Sequence, residues 1–196
     1  MATRAFGGPQ PLPLTVVLRN GTALIYQGQA GDGLWIVGSG ALRASMITPD
    51  GRDLTLEVLG PGDLAGEPRG LASPTTLRAL RRTRLRPADP RAAADLLAAR
   101  AQRAAALAAE LAWLGVRDRL LRRLEDLAER FGSPTEGGTL ILLPLTQDDL
   151  AALAGTTRES VSRTMGALTR DGRIRVAGRG RYVVRSDLRV IAGTAT

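Results

Sequence analysis

The chain has 196 residues and a formal charge of +8, from 27 basic residues against 19 acidic ones. Every basic residue is Arg, and Lys, His and Cys are absent. Their absence excludes haem and iron–sulfur ligation, structural zinc, thiol redox chemistry, disulfides, His-dependent nucleophilic catalysis, lysine Schiff bases and the P-loop lysine. Two each of Trp, Tyr and Phe leave Leu, Val, Ile and Ala to build the core. The arginine excess has two readings: guanidinium forks suited to phosphate and guanine, or the codon bias of a GC-rich genome. The net positive charge points to a polyanionic partner. Met1 to Asn20 holds three Pro and no apolar run of signal-peptide length. No segment approaches the roughly 20 apolar residues of a membrane helix, so the expectation is a soluble, cytoplasmic protein without a membrane partner.

Residues 14–88 are rich in Gly and in β-formers. Short apolar runs (Ala23 to Tyr26, Leu34 to Val37, Ala41-Leu42, Leu54 to Leu59) lie between frequent turn residues, a pattern of short antiparallel strands. Pro49-Asp50-Gly51 is a hairpin turn signal. Gly28, Gly31 and Gly33 have no following helix and read as turn residues rather than a phosphate loop. The expectation for 1–88 is a small antiparallel β-roll.

Character changes at Asp89-Pro90, where Asp can serve as N-cap and Pro as first helical residue. An Ala-rich stretch free of Gly runs to Gly115, giving a long helix over 89–115. Leu97, Ala104 and Leu111 recur every seven residues, with Leu107 and Leu114 at offset positions, a coiled-coil-like dimer seam. Arg100 falls on an offset position and weakens it.

Residues 116–196 form the third part. Arg117 to Arg130 reads as an amphipathic helix with Leu120, Leu121, Leu124, Leu127 and Ala128 on one face, ended by Gly132-Ser133-Pro134. Thr139 to Leu143 reads as a strand. Thr146 and Asp149 then form a capping box. Leu150, Leu153 and Ala154 face inward, and Gly155 supplies a tight turn. Thr157 caps a second helix, Arg158 to Arg170. Val161, Met165 and Leu168 form its buried stripe, leaving Arg158, Glu159, Ser162 and Arg163 outward. This spacing is a helix-turn-helix. In the major groove Arg can bond guanine O6 and N7, and Glu can accept from cytosine N4. On a solvated helix the same residues make only a Glu159–Arg163 ion pair. Ile174 to Val176 and Tyr182 to Val184 alternate as strands around Gly178-Arg179-Gly180. This wing carries Arg173, Arg175, Arg179, Arg181 and Arg185 on or beside it. From Arg158 to Thr196 there are nine Arg and three acids, a net +6 suited to phosphate contact.

The segment Leu145 to Ile174, centred on Thr157-Arg158-Glu159-Ser160-Val161-Ser162-Arg163, resembles the cyclic-AMP receptor protein/fumarate–nitrate regulator (CRP/FNR) family of bacterial transcription factors. Tyr26-Gln27-Gly28 with Leu34 to Leu42 resembles that family's roll strands, and Pro61 to Glu67 its ligand-pocket mouth. The resemblance implies an α+β chain. It joins an N-terminal cyclic-nucleotide-binding-like β-roll (a double-stranded β-helix) to a long dimerisation helix and a C-terminal winged helix-turn-helix. It implies a homodimer on palindromic double-stranded DNA, with Arg158, Glu159 and Arg163 reading a TGTGA-like half-site. Thr146, Gln147 and Ser160 match the family's backbone and edge contacts. RNA polymerase is the implied partner of an activator, with the loop from Gly132 to Thr139 its candidate contact by family position. Two residues depart from the family: Gly166 stands where a basic residue reaches phosphate, and Arg173 where an apolar one precedes Ile174.

The pocket departs further. Gly66 and Glu67 keep the family pattern, but Thr75-Thr76 stand at the positions read as matching the Arg-Ser pair that holds a cyclic phosphate. A buried phosphate without a paired cation is costly. Arg69 or Arg78 could substitute only if turned inward. The expectation is therefore a regulator that does not use cyclic AMP. The alternative is a ligand-dependent one with another small effector in the roll. A cupin-like metal enzyme would need His; Glu57, Asp63 and Glu67 are too few and scattered, so no catalytic residue, metal or cofactor is expected.

Overall fold

The computed structural model describes residues 15–185, and the expected domain limits at 1–14 and 186–196 lie outside the described residues. Eight short strands form two four-stranded antiparallel sheets. One has the order β1 (Val16–Leu18), β8 (Thr83–Pro87), β3 (Gly33–Ser39), β6 (Leu64–Glu67). The other has the order β2 (Ala23–Ile25), β7 (Thr76–Ala79), β4 (Leu42–Ile47), β5 (Asp53–Leu59). Leu18, Val37, Ala65 and Leu85 from the first sheet share a core with Ile25, Leu42, Leu59 and Leu77 from the second. The expected turn joins β4 to β5: Thr48 N–H donates to the Arg52 carbonyl (2.9 Å). Gly51 there takes φ +81°, a region that favours glycine.

Helix α1 (Pro90–Trp113) follows, then a break at Leu114 and Gly115, then α2 (Val116–Phe131). Helix α2 buries Leu120, Leu124, Leu127, Ala128 and Phe131. Beyond it come β9 (Gly132–Thr135), β10 (Gly138–Ile141), α3 (Gln147–Ala154), α4 (Arg158–Arg170), β11 (Ile174–Val176) and β12 (Tyr182–Val184). The last four strands form one sheet in the order β11, β12, β10, β9. Strand β9 is a departure: Gly132-Ser133-Pro134 ends the helix but also pairs, with Pro134 opposite Thr139. The strand lies at the sheet edge, where a residue lacking an N–H is tolerated.

The C-terminal core is continuous with the roll. Ala41 and Val58 pack with Leu120, Leu124, Phe131, Leu150 and Val161 in one cluster. Phe131 lies so close to Gly60 that a Cβ there would stand 2.8 Å from its ring.

Helix α1 divides the expected seam residues between two faces. Leu97 and Ala104 are exposed. Leu107 is buried over its own chain, facing the cavity lined by Leu56 and Val58, while Leu111 packs on Gly155 and Leu114 is half-buried. The heptad count marks apolar positions but not which neighbour covers them. The open stripe runs through Leu97, Ala101, Ala104, Ala108 and Ala112. Arg100 is explained by the roll: its Nη2 pairs with Glu67 Oε1 at 2.8 Å.

Candidate nucleic-acid interface

Helix α3 begins with the full capping box. Thr146 Oγ1 accepts from Asp149 N–H (3.1 Å), and Asp149 Oδ2 accepts from Thr146 N–H (2.8 Å) and from the Thr146 hydroxyl (2.6 Å). These bonds satisfy N-terminal groups that the helix cannot. The helix ends at Gly155 in the left-handed region, φ +59° and ψ +49°. Two residues later Thr157 caps α4, its Oγ1 accepting from Ser160 N–H (3.3 Å). Val161, Met165 and Leu168 are buried beneath α4.

This geometry leaves Arg158, Glu159, Ser162 and Arg163 exposed together, with Ser160 half-buried beside them. Arg163 Nη2 reaches the Ser160 hydroxyl (3.5 Å) rather than pairing with Glu159. The Glu159 carboxyl is held below the usual glutamate range by its own backbone N–H, then by the Thr157 hydroxyl, with Arg158 and Arg163 adding to the pull. It is an exposed acceptor flanked in sequence by Arg158 and Arg163.

The wing stands beside the start of α3. Leu145 N–H donates to the Gly180 carbonyl (2.9 Å), next to Arg179 and Arg181, both exposed. Gln147 sits half-buried with its side-chain oxygen enclosed. Burial pushes the neighbouring Tyr182 phenol above its ordinary range, with the Gln147 amide opposing. Arg173, counted with the wing from sequence, turns instead to α2 and pairs with Glu125 (2.9 Å). Arg185 donates to the Gly137 carbonyl (3.3 Å). Arg117 on α2 holds Asp171 at the end of α4 (2.6 Å).

The residues expected at a pocket mouth in the roll are internally engaged. Gly66 lies within β6 with φ +86°. Glu67 pairs with Arg100, whose Nη1 also reaches the Gly66 carbonyl (3.3 Å). Thr75 is 1% exposed, and Thr76 Oγ1 accepts from Gln27 N–H (3.0 Å). Arg78 donates to the Gly21 carbonyl (2.7 Å) and lies over the Tyr26 ring, while Arg69 reaches the Asp32 carbonyl (3.5 Å).

Residues 15–100 match the cyclic nucleotide-binding domain and residues 118–189 the Crp-like helix-turn-helix domain. The chain belongs to the CRP/FNR family. It is a DNA-binding transcription regulator and not an enzyme. It is 30% identical over 185 residues (85% of this chain, 82% of the relative) to a CRP-like cAMP-activated global transcriptional regulator of Mycobacterium tuberculosis. It is 34% identical over 182 residues (84% of this chain, 81% of the relative) to the cyclic AMP receptor protein of Thermus thermophilus. A solved CRP/FNR-family transcriptional regulator, also from Thermus thermophilus, superposes with a TM-score of 0.77 at 30% identity, covering 87% of this chain and 93% of that one. Among the described residues of this regulator no helix is long and apolar enough to cross a membrane, and no group of His, Cys, Asp or Glu is placed to hold a metal ion.

Sequence reasoning missed Arg43 and Arg119, which join the helix-turn-helix to the rest of the molecule. Arg43 Nη1 lies 3.6 Å from Asp149 Oδ1, and Arg119 donates to backbone carbonyls at the ends of α3 and α1, those of Ala154, Leu111 and Leu114. Neither contact has a local spacing signature, because the partners lie tens of residues away or are carbonyls that every residue carries.

Proposed function

We propose that this regulator is a cytoplasmic transcription activator that binds a TGTGA-like palindrome as a homodimer, without cyclic AMP. The carrying observation is the exposed guanidinium, carboxylate and guanidinium of Arg158, Glu159 and Arg163 at the start of α4. A recognition helix enters the major groove by its N-terminal residues, and those side chains suit guanine and cytosine edges there. Arg179 and Arg181 supply phosphate contact from the wing, with Thr146, Gln147, Thr157, Ser160 and Ser162 along the same surface. The open stripe of α1, Leu97 with Ala101, Ala104, Ala108 and Ala112, is the dimer seam. Its small side chains suit close helix approach, and two heads so joined would meet half-sites about one helical turn apart. The exposed turn between β9 and β10 is the polymerase-facing candidate.

Cyclic-AMP independence is supported by the engagement of the nearby polar groups: Glu67 pairs with Arg100, Arg69 reaches the Asp32 carbonyl and Arg78 the Gly21 carbonyl. A second reading, a regulator gated by a small effector in the roll, is favoured by the two relatives named for cyclic AMP. Selection of bound duplexes from a random pool, without and with cyclic AMP, decides between them. The same TGTGA-like palindrome in both arms is expected. A sequence recovered only with nucleotide would transfer the conclusion to the second reading, and no enriched sequence in either arm would end the cyclic-AMP-independent one.

A further inference from the structure

Helix α1 is joined to α2 across the two-residue break at Leu114 and Gly115, and one side chain ties that junction to the helix-turn-helix. Arg119, on the first turns of α2, donates through Nε to the Ala154 carbonyl at the end of α3 (2.9 Å). Through Nη1 it donates to the Leu114 carbonyl (2.9 Å) and, more weakly, to the Leu111 carbonyl (3.4 Å). Two helices therefore end on one guanidinium. Their last carbonyls lack intrahelical partners and carry the negative ends of the helix dipoles.

Arg119 is half-buried and makes no ion pair within 4 Å among the described residues. Its charge is answered by helix ends instead of a carboxylate, which distinguishes it from its neighbours Arg117 and Arg123. The surroundings reinforce the same junction. Leu111 of α1 and Leu54 of β5 close on Gly155, where an added Cβ would stand 3.0 and 3.3 Å from them. On the other side of α3, Arg43 approaches the capping-box carboxylate of Asp149. The turn that sets the angle between α3 and α4 is thus seated on the end of α1.

We propose that Arg119 is a positioning residue for DNA recognition. It fixes the angle between the long helix and the reading head, and so the separation of the two α4 helices in a dimer. It touches no DNA itself. Lysine is a poor substitute, because an ammonium is a compact point charge whereas the planar fork reaches both helix ends at once. This inference rests on the paired-head reading above.

The test uses the full chain and the sequence that the wild type selects from a random pool. Duplexes carry that site at its selected half-site spacing, with one or two base pairs added or removed, or as a single half-site. The wild type is expected to lose roughly tenfold or more in affinity when the spacing changes, because the second head no longer reaches its half-site. Arg119→Ala should bind the selected spacing roughly tenfold more weakly, with a flat spacing profile and single half-site affinity within about twofold of wild type. Arg119→Lys should fall between them. A wild-type spacing profile in Arg119→Ala overturns the proposal, as does an equal loss on the single half-site.

A second measurement serves if Arg119→Ala does not fold. The chain has no native Cys, so spin labels on Arg82→Cys in the roll and Arg170→Cys on α4 report the angle directly. Adding Arg119→Lys should broaden their distance distribution; an unchanged narrow one overturns the proposal. If the wild type selects no sequence, the DNA reading fails, while the label distances still decide the role of Arg119.

Discussion

The same residue type has opposite fates at the two ends of this molecule. Where the roll meets the helices, arginines turn toward carboxylates of their own chain: Arg100 to Glu67, Arg103 to Glu57, Arg130 to Asp63 and Arg43 to Asp53. On the reading head Arg158, Arg163, Arg179 and Arg181 are exposed and make no ion pair among the described residues. The first group holds the chain together and the second is open to solvent. A count of +8 cannot separate them; only the partner of each guanidinium does.

Single truncations should cleave this distinction. Arg100→Ala leaves the Glu67 carboxylate, 12% exposed, without its counter-charge. The expected cost is about 1–3 kcal/mol of folding stability, measured by denaturant unfolding, with base preference unchanged. Arg158→Ala should do the reverse. Stability should stay within about 0.5 kcal/mol, while discrimination at one base position falls by about 1–3 kcal/mol in competition binding. If both substitutions moved stability alike, the division between the two groups would fail.

Arg179→Ala tests the wing. It should weaken binding to all sequences alike and reduce the slope of log K against log salt by about one. A sequence-dependent loss would place Arg179 among the base readers.

The smallest effect contrasts two carboxyls. Burial raises Glu57, against the pull of Arg103 and with Asp63 adding to the rise. Its ionised form therefore costs folded-state stability at neutral pH, and that cost vanishes as pH falls through the raised value toward that of a free glutamate. Glu159 is lowered, so its contribution is present above the free value and is lost as pH falls through the depressed one. Carboxyl NMR titration should give midpoints on opposite sides of an unfolded reference. Coincident midpoints would contradict the contrast.

The helix-turn-helix was legible because local chemistry specifies it. Thr146, Asp149, Gly155 and Thr157 each solve a backbone problem within four residues of themselves, and the Val161–Met165–Leu168 stripe needs only the helical period. The roll was legible as a class but not strand by strand. Strand β8 alternates correctly, with Thr83 and Leu85 in and Arg84 and Arg86 out, yet it has too few apolar residues to announce itself. Strand β9 was hidden because its residues are ordinary helix breakers. Heptad spacing found apolar positions on α1 but not what covers them: Leu107 is buried over its own chain and Leu111 packs on Gly155. Thr75 and Thr76 were named as pocket candidates without their bonding, since Gln27, which meets Thr76, lies 49 residues away.

The seating of Phe131 on Gly60 has a practical consequence. Because this ring belongs to the C-terminal core yet presses on the roll's backbone, the two halves share atoms that neither can keep alone. Heating should melt roll and head in one calorimetric transition instead of two. Chimeras that place this head on a foreign sensor would need a glycine at the equivalent position, or the graft would be wedged open at its hinge.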